Sequence, residues 1–303
     1  MAPLRGAPVW LVGGAVRDLL LGVDPVDLDL LVDCDPRELG SVSRQTPYLT
    51  ATLTVAGHSY DVARARRETY PAPGALPVVA PASVDEDLWR RDFSVNAMAL
   101  RLSDGEFLAV DGALDDLEAR VLRVLHPDSF RDDPTRMLRL ARYAARLDFS
   151  VADLDLISND LLDSVSGVRI GNELRRLAAE ADPVRGFVAL RELGIDPGLV
   201  LEDEALARRA LRLLEPADRV DRTVLACALL GRDPSVLERL GFVAADRDVI
   251  AAAALGAEKL AARLEMAGPP SEIDWVVGSA SAEAVALAGA IHPANAAREW
   301  LAV

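Results

Sequence analysis

The chain has a single lysine, Lys259, with three histidines and two cysteines among 303 residues. Cys34 and Cys227 stand far apart without CxxC spacing, so neither a disulfide framework nor a structural zinc site is expected. His58, His126 and His292 are scattered with no metal-ligand spacing. There is no basic arm. Residues 1–150 hold 17 Arg against 23 Asp/Glu, residues 151–303 hold 16 Lys/Arg against 25 Asp/Glu, and the net charge is −15. That balance excludes a protein that coats nucleic acid non-specifically, because phosphate binding depends on Lys and Arg, and any RNA contact must be local. No apolar run reaches the ~18 residues of a membrane span: the N-terminal stretch is interrupted by Gly13, Gly14, Arg17 and Asp18. The expected location is cytoplasmic. Walker Gly-Lys-Ser/Thr and dinucleotide GxGxxG loops, repeats and low-complexity tails are all missing.

What is present is enough apolar sequence, 51%, for a sizeable core. Up to about Asp111 short β-rich runs alternate with helical patterns; beyond it the chain reads as helix with short breaks. Strands are expected at Val9–Val12, Leu28–Val32, Leu49–Ala56 and Tyr60–Ala63, and a short helix at Val16–Leu21 closed by Gly22. Pro71 to Pro81 is too proline-rich for a central strand or helix. Asp92 to Leu102 fits helix or strand equally. Asp133-Pro134 opens a helix running to about Leu147, with Asp as N-cap. Further helices are expected at about 151–165, 170–181, 184–193, 203–214, 219–230, 234–241, 245–265, 271–277 and 281–300.

Three clusters carry chemistry. Gly13-Gly14 lies between a strand and a helix, where bare backbone and unpaired helix N–H groups suit a triphosphate. Asp27 and Asp29, two apart on a strand, project from one face and repel each other unless a cation neutralises them; their hard oxygens suit Mg2+. Asp61, in Tyr60-Asp61-Val62, could complete a carboxylate cluster of the kind that holds two metal ions. On the helix after Asp133, Arg136, Arg139, Arg142 and Arg146 form one basic stripe beside a packing face of Leu138, Ala141 and Ala145. A carboxylate and a guanidinium can hydrogen-bond a base edge much as another base does.

Together these segments resemble the class II tRNA nucleotidyltransferase and poly(A) polymerase family of the polymerase-β-like nucleotidyltransferases. The resemblance runs from Gly13-Gly14-Ala15-Val16-Arg17-Asp18 and Asp27-Leu28-Asp29 through Arg90-Arg91-Asp92-Phe93-Ser94-Val95-Asn96-Ala97-Met98-Ala99. It continues in Asp111-Gly112, Asp116-Leu117 and Arg131-Asp132-Asp133-Pro134-Thr135-Arg136-Met137-Leu138-Arg139, covering about 140 residues. It implies an α+β head with a mixed sheet and flanking helices, the nucleotidyltransferase fold, at 1–125. A helical neck at 126–183 and an all-α body at 184–303, RNA-binding by analogy, would follow.

The resemblance also implies roles. Gly13, Gly14 and Arg17 would hold nucleotide phosphates, Asp27 and Asp29 the catalytic metals, and Arg90 or Arg91 the triphosphate or sugar. Asn96 would orient the ribose. Asp133 and Arg136 would select the base, with Arg139 and Arg142 near the nucleotide. The implied activity is untemplated, Mg2+-dependent transfer from CTP and ATP to the 3′ end of tRNA, building or repairing CCA. An enzyme adding A alone, a poly(A) polymerase, and a non-catalytic nucleotide- or RNA-binding relative are the alternatives; the last is expected to lose Asp27 or Asp29, and both are present. Arg66 to Pro81 resembles the segment associated with switching to ATP, which points away from a strictly CC-adding enzyme. Arg169, Glu173, Leu174, Arg175 and Arg176 resemble a further family element of neck packing or RNA contact.

Overall fold

The structure, a computed structural model, describes residues 8–25, 27–39, 42–55, 58–213, 221–230, 233–292 and 295–302. Of the expected elements, Ala56 and positions 214, 219–220 and 293–294 lie outside the described residues. The chain divides into two compact units, Met1–Arg136 with Asp148–Leu156, and Met137–Leu147 with Ile157–Val303. The boundaries expected at 125 and 183 thus fall inside these units.

The first unit is built on β1 (Val9–Val12), α1 (Gly14–Leu20), β2 (Leu30–Val32), β3 (Val42–Gln45), β4 (Thr50–Val55), β5 (His58–Arg64), β6 (Arg66–Thr69), β7 (Val78–Pro81) and α2 (Val84–Trp89). Then come β8 (Met98–Arg101), β9 (Phe107–Ala109), α3 (Ala113–Ala119), β10 (Val121–Leu122), α4 (Ser129–Asp132), the start of α5 (Thr135–Leu147) and β11 (Ser150–Val151). A seven-stranded sheet has the order β3-β4-β5-β2-β1-β8-β9. Its β2–β5 pairing is parallel and the others are antiparallel. β1 carries apolar residues on both faces, and all four are buried at the middle of the sheet.

The second unit is helical: the rest of α5, then α6 (Gly167–Ala178), α7 (Pro183–Glu192), α8 (Glu204–Arg212), α9 (Arg222–Ala228), α10 (Pro234–Arg239), α11 (Ala244–Glu265), α12 (Pro270–Val277), α13 (Ala282–Ile291) and α14 (Asn295–Leu301). Part of the acidity of this half has a local cause. Asp182, Asp203, Asp221 and Asp233 each accept a hydrogen bond from a backbone N–H in the first turn of the helix that follows, satisfying donors that have no partner inside the helix.

Several expectations need correction. The helix expected at 151–165 is β11 followed by short 3-10 segments at Leu154–Leu156 and Asn159–Ser164. There the Asp153 carboxylate accepts from the backbone N–H of Val124 at 2.9 Å, and β11 pairs with β10; both compete with helix. The helix expected at 281–300 is two, α13 and α14. His292 between them is extended, φ −115° and ψ 112°, the conformation favoured before a proline, and Pro293 comes next. Asp92 to Leu102 resolves into a 3-10 turn, Ser94–Asn96, and the strand β8. Strand β7 does enter the proline-rich segment, but only in a two-stranded ribbon with β6, where Pro81 is its last residue.

Two packing features yield predictions. A methyl group on Gly171 of α6 would run into the backbone carbonyl oxygen of Leu240, which follows α10. Backbone cannot swing aside as a side-chain tip can. Gly171→Ala is therefore expected to cost about 3 kcal/mol of stability, read from the urea midpoint. Cys227 is buried and its thiol is pushed up to about 12, chiefly by burial, whereas Cys34 is only partly buried. At pH 8, iodoacetamide should label Cys34 in the native protein and reach Cys227 only as the second unit unfolds. Rapid labelling of both would contradict this burial.

Candidate active site

β1 ends at Gly13, whose φ of +73° lies in the left-handed region. The Gly13 N–H donates to the Met98 carbonyl oxygen at 3.1 Å, while its own carbonyl accepts from Val16 and Arg17 N–H and so opens α1. A Cβ at Gly13 would lie 2.6 Å from Arg91 Nη1 and 3.9 Å from Asp29 Oδ2. Gly13 is thus required both by its backbone angle and by a guanidinium lying against its Cα. Gly14 has a milder constraint, since a Cβ there would meet Arg17 Nη2 at 3.3 Å.

Asp27 and Asp29 are exposed, and they lie not on the strand expected from Leu28 but before it, since β2 begins at Leu30 and Leu28 between them is itself exposed. The main chain at Asp29 is held, its carbonyl accepting from the Val12 N–H at 3.1 Å, and its carboxylate lies beside the Gly13 turn. Leu30 pairs with Val62 in the parallel register. Asp61 immediately precedes Val62 in β5, and Asp29 immediately precedes Leu30, the first residue of β2. Asp61 accepts from Thr52 Oγ1 at 2.7 Å, and among the described residues no three His, Cys, Asp or Glu side chains group closely enough to hold a metal ion. The Asp29 carboxylate beside the glycine turn, with Asp27 two residues before it, nevertheless offers hard oxygens of the kind that suit a divalent cation.

Arg17 and Asn96 are brought together, but inside the fold. Arg17 is 1% exposed. Its Nε and Nη2 donate to Asp18 Oδ1 at 2.9 and 2.7 Å, and its Nη1 to Asn96 Oδ1 at 2.6 Å. Asn96 Nδ2 in turn donates to Asp92 Oδ1 at 2.9 Å, which also accepts the Phe93 N–H. This buried chain of polar groups pins α1 to the turn before β8.

The arginine pair diverges. Arg90 donates to Asp87 Oδ1 at 2.9 Å and to Glu68 Oε1 of β6 at 3.2 Å. Arg91 donates to Asp87 Oδ2 at 3.0 Å and reaches Gly13. Burial, countered by Asp87 and Asp29, lowers the Arg91 pKa from its ordinary value. Asp87 was not singled out from the sequence, although it lies three and four residues before the pair, a spacing that brings both arginines back to it at the end of α2.

Asp133 accepts from Thr135 N and Oγ1 at 3.0 and 2.6 Å, capping the start of α5. Arg136 is buried, donating to Ser129 Oγ at 2.7 Å and to the Arg90 carbonyl oxygen at 2.8 Å. Arg139 and Arg142 belong to the second unit, where Arg139 lies 3.9 Å from Glu173 and Arg142 lies 3.9 Å from Glu173 and 3.4 Å from Glu180. Arg142 also stacks over Tyr143.

The candidate site thus joins a glycine turn at the end of β1, an interior strand of the mixed sheet, to an acidic pair in the segment that leads into β2. Residues 9–123 match the poly A polymerase head domain. An A-adding tRNA nucleotidyltransferase of Halalkalibacterium halodurans is 38% identical over 208 residues, covering 62% of this chain and 49% of that protein. A CC-adding tRNA nucleotidyltransferase of Deinococcus radiodurans is 44% identical over 209 residues, covering 63% and 56%. The chain thus spans about half the length of these two curated relatives. A tRNA nucleotidyltransferase solved with a primer tRNA and an incoming ATP analog superposes with a TM-score of 0.76 at 27% identity, covering 98% of this chain and 94% of that one. Nucleotidyltransferases of this family generally use a divalent metal.

Proposed function

We propose that this chain is a tRNA nucleotidyltransferase that adds CMP and AMP to the tRNA 3′ end without a template, building or repairing CCA. The observation that carries this reading is the meeting of bare backbone at Gly13, the Asp29 carboxylate and the Arg91 guanidinium at the end of β1. In this reading the tRNA 3′ hydroxyl attacks the α-phosphorus of CTP or ATP in line, and the bond to pyrophosphate breaks. Asp27 and Asp29 would hold Mg2+, which when bound lowers the hydroxyl's pKa and neutralises developing charge. In this reading Asp61 would assist them as a third carboxylate.

Gly13 and Gly14 let the phosphates approach the backbone, and Arg91 supplies positive charge against them. Arg17 and Asn96 hold the turn from behind, and Arg90 anchors the segment that carries Arg91. Asp133 and Arg136 select the base; Arg139 and Arg142, further along the same helix, are assigned to the nucleotide by the resemblance alone. Residues 1–125 carry the chemistry, 126–183 the base selection and 184–303 the grip on RNA.

The names of the relatives favour a second reading, in which only part of CCA is added. Incubation with Mg2+ and tRNA transcripts ending before CCA, after CC and after CCA, with CTP and ATP apart and together, separates the cases. CC followed by one A is the expected product. A added only to the CC-ended transcript identifies an A-adding enzyme, CC alone a CC-adding one, and long A tracts a poly(A) polymerase. No extension of any transcript contradicts the proposal.

A further inference from the structure

Asp87 is 0% exposed and lies at the centre of three hydrogen bonds from other elements or from the end of its own helix. Its Oδ1 accepts from the Arg66 backbone N–H at 3.2 Å and from Arg90 Nε at 2.9 Å, and its Oδ2 accepts from Arg91 Nη2 at 3.0 Å. A carboxylate without exposure to water is costly unless such donors compensate it.

The geometry points to Asp87 as a positioning residue that acts on the nucleotide through Arg91, an inference that rests on the functional reading above. Two adjacent guanidiniums repel, and a carboxylate offering one oxygen to each draws them apart. Oδ1 turns Arg90 toward Glu68 and the β6–β7 ribbon, and Oδ2 holds one end of Arg91 so that its Nη1 lies against Gly13 beside Asp29. Arg91 Nε is buried and has no hydrogen-bond partner. The pose of this guanidinium therefore depends on its bond to Asp87, and its opposite edge is directed at the glycine turn. Asp87 itself is enclosed and does not touch the nucleotide.

Asparagine at position 87 keeps one acceptor oxygen and replaces the other with an NH2 donor, so it cannot serve both arginines. Asp87→Asn should weaken MgATP binding, measured by calorimetry, about tenfold. It should raise KM for ATP on a CC-ended tRNA by a similar factor, with a smaller change in kcat. Arg91→Ala should show the same or a larger loss. The Asp87→Asn/Arg91→Ala double variant should be no worse than Arg91→Ala alone, because the second change removes the only route by which the first acts. Arg91→Lys keeps the charge but has no fork to join Asp87 to the turn. It should lose affinity as Asp87→Asn does, and it tests the inference even if Asp87→Asn fails to fold.

Losses that multiply in the double variant would overturn the inference, as would a lowered melting temperature of Asp87→Asn with unchanged ATP affinity, or wild-type affinity in Arg91→Lys. Wild-type protein that binds MgATP but transfers nothing would sink the functional reading while the binding arm still judges Asp87. Wild-type protein that does not bind MgATP would overturn both.

Discussion

Asp29→Asn is expected to lower nucleotide transfer about a thousandfold, roughly 4 kcal/mol of barrier, while leaving the melting temperature within about 2 °C of the wild type. The two halves of this expectation come from different atoms of the same residue. The main-chain carbonyl of Asp29 takes part in the sheet by accepting from the Val12 N–H, and asparagine retains it. The side chain is exposed and stands beside the Gly13 turn and Arg91. Removing its charge therefore costs little packing and takes away a ligand for the cation. Transfer by Asp29→Asn at the wild-type rate, followed on a CC-ended tRNA with ATP, would sink the role given to this carboxylate.

Arg17→Met is expected to behave in the opposite way, with a large loss of stability, about 3–5 kcal/mol, visible as a shifted urea midpoint. Methionine nearly matches the volume of the aliphatic stem but leaves the Asp18 carboxylate buried without its guanidinium, and Asn96 Oδ1 without its donor. The resemblance gives Arg17 to the phosphates. The structure places it behind the turn that would receive them, so its effect on nucleotide binding should follow from loss of the turn. An Arg17→Met protein as stable as wild type, with only its nucleotide affinity reduced, would overturn that assignment.

These contrasts show what could be read from sequence and what could not. Val9–Val12 was legible because a run apolar on both faces, stopped by two glycines, has few alternatives to a central strand. Period two suggested a strand through Asp27 and Asp29, but the chain enters β2 only at Leu30, so that spacing did not show their conformation. Strands β3, β6, β7, β9, β10 and β11 were missed, because they lie at sheet edges or in two-stranded pairs, where polar and proline residues are tolerated and the alternation fades.

At the candidate site, residue identities were easier to read than residue partners. The bond between Arg17 and Asn96 spans 79 positions, and nothing local marks it. Which member of the arginine pair approaches Gly13 was equally hidden, since it depends on how Asp87 divides its two oxygens. Helical spacing puts Arg136 in one basic stripe with Arg139, Arg142 and Arg146, yet Arg136 lies buried against Ser129 and the Arg90 carbonyl. Helical spacing alone does not show which side of a stripe the chain will cover.

The central claim is that this head performs phosphoryl chemistry on an RNA end rather than only binding a nucleotide. The most direct measurement is pyrophosphate release on mixing the protein with Mg2+, ATP and a tRNA ending in CC. The account predicts one pyrophosphate released for each tRNA lengthened by a single A, and none without the tRNA. ATP bound with no pyrophosphate released and no tRNA lengthened, with CTP and a shorter acceptor equally inert, would contradict it.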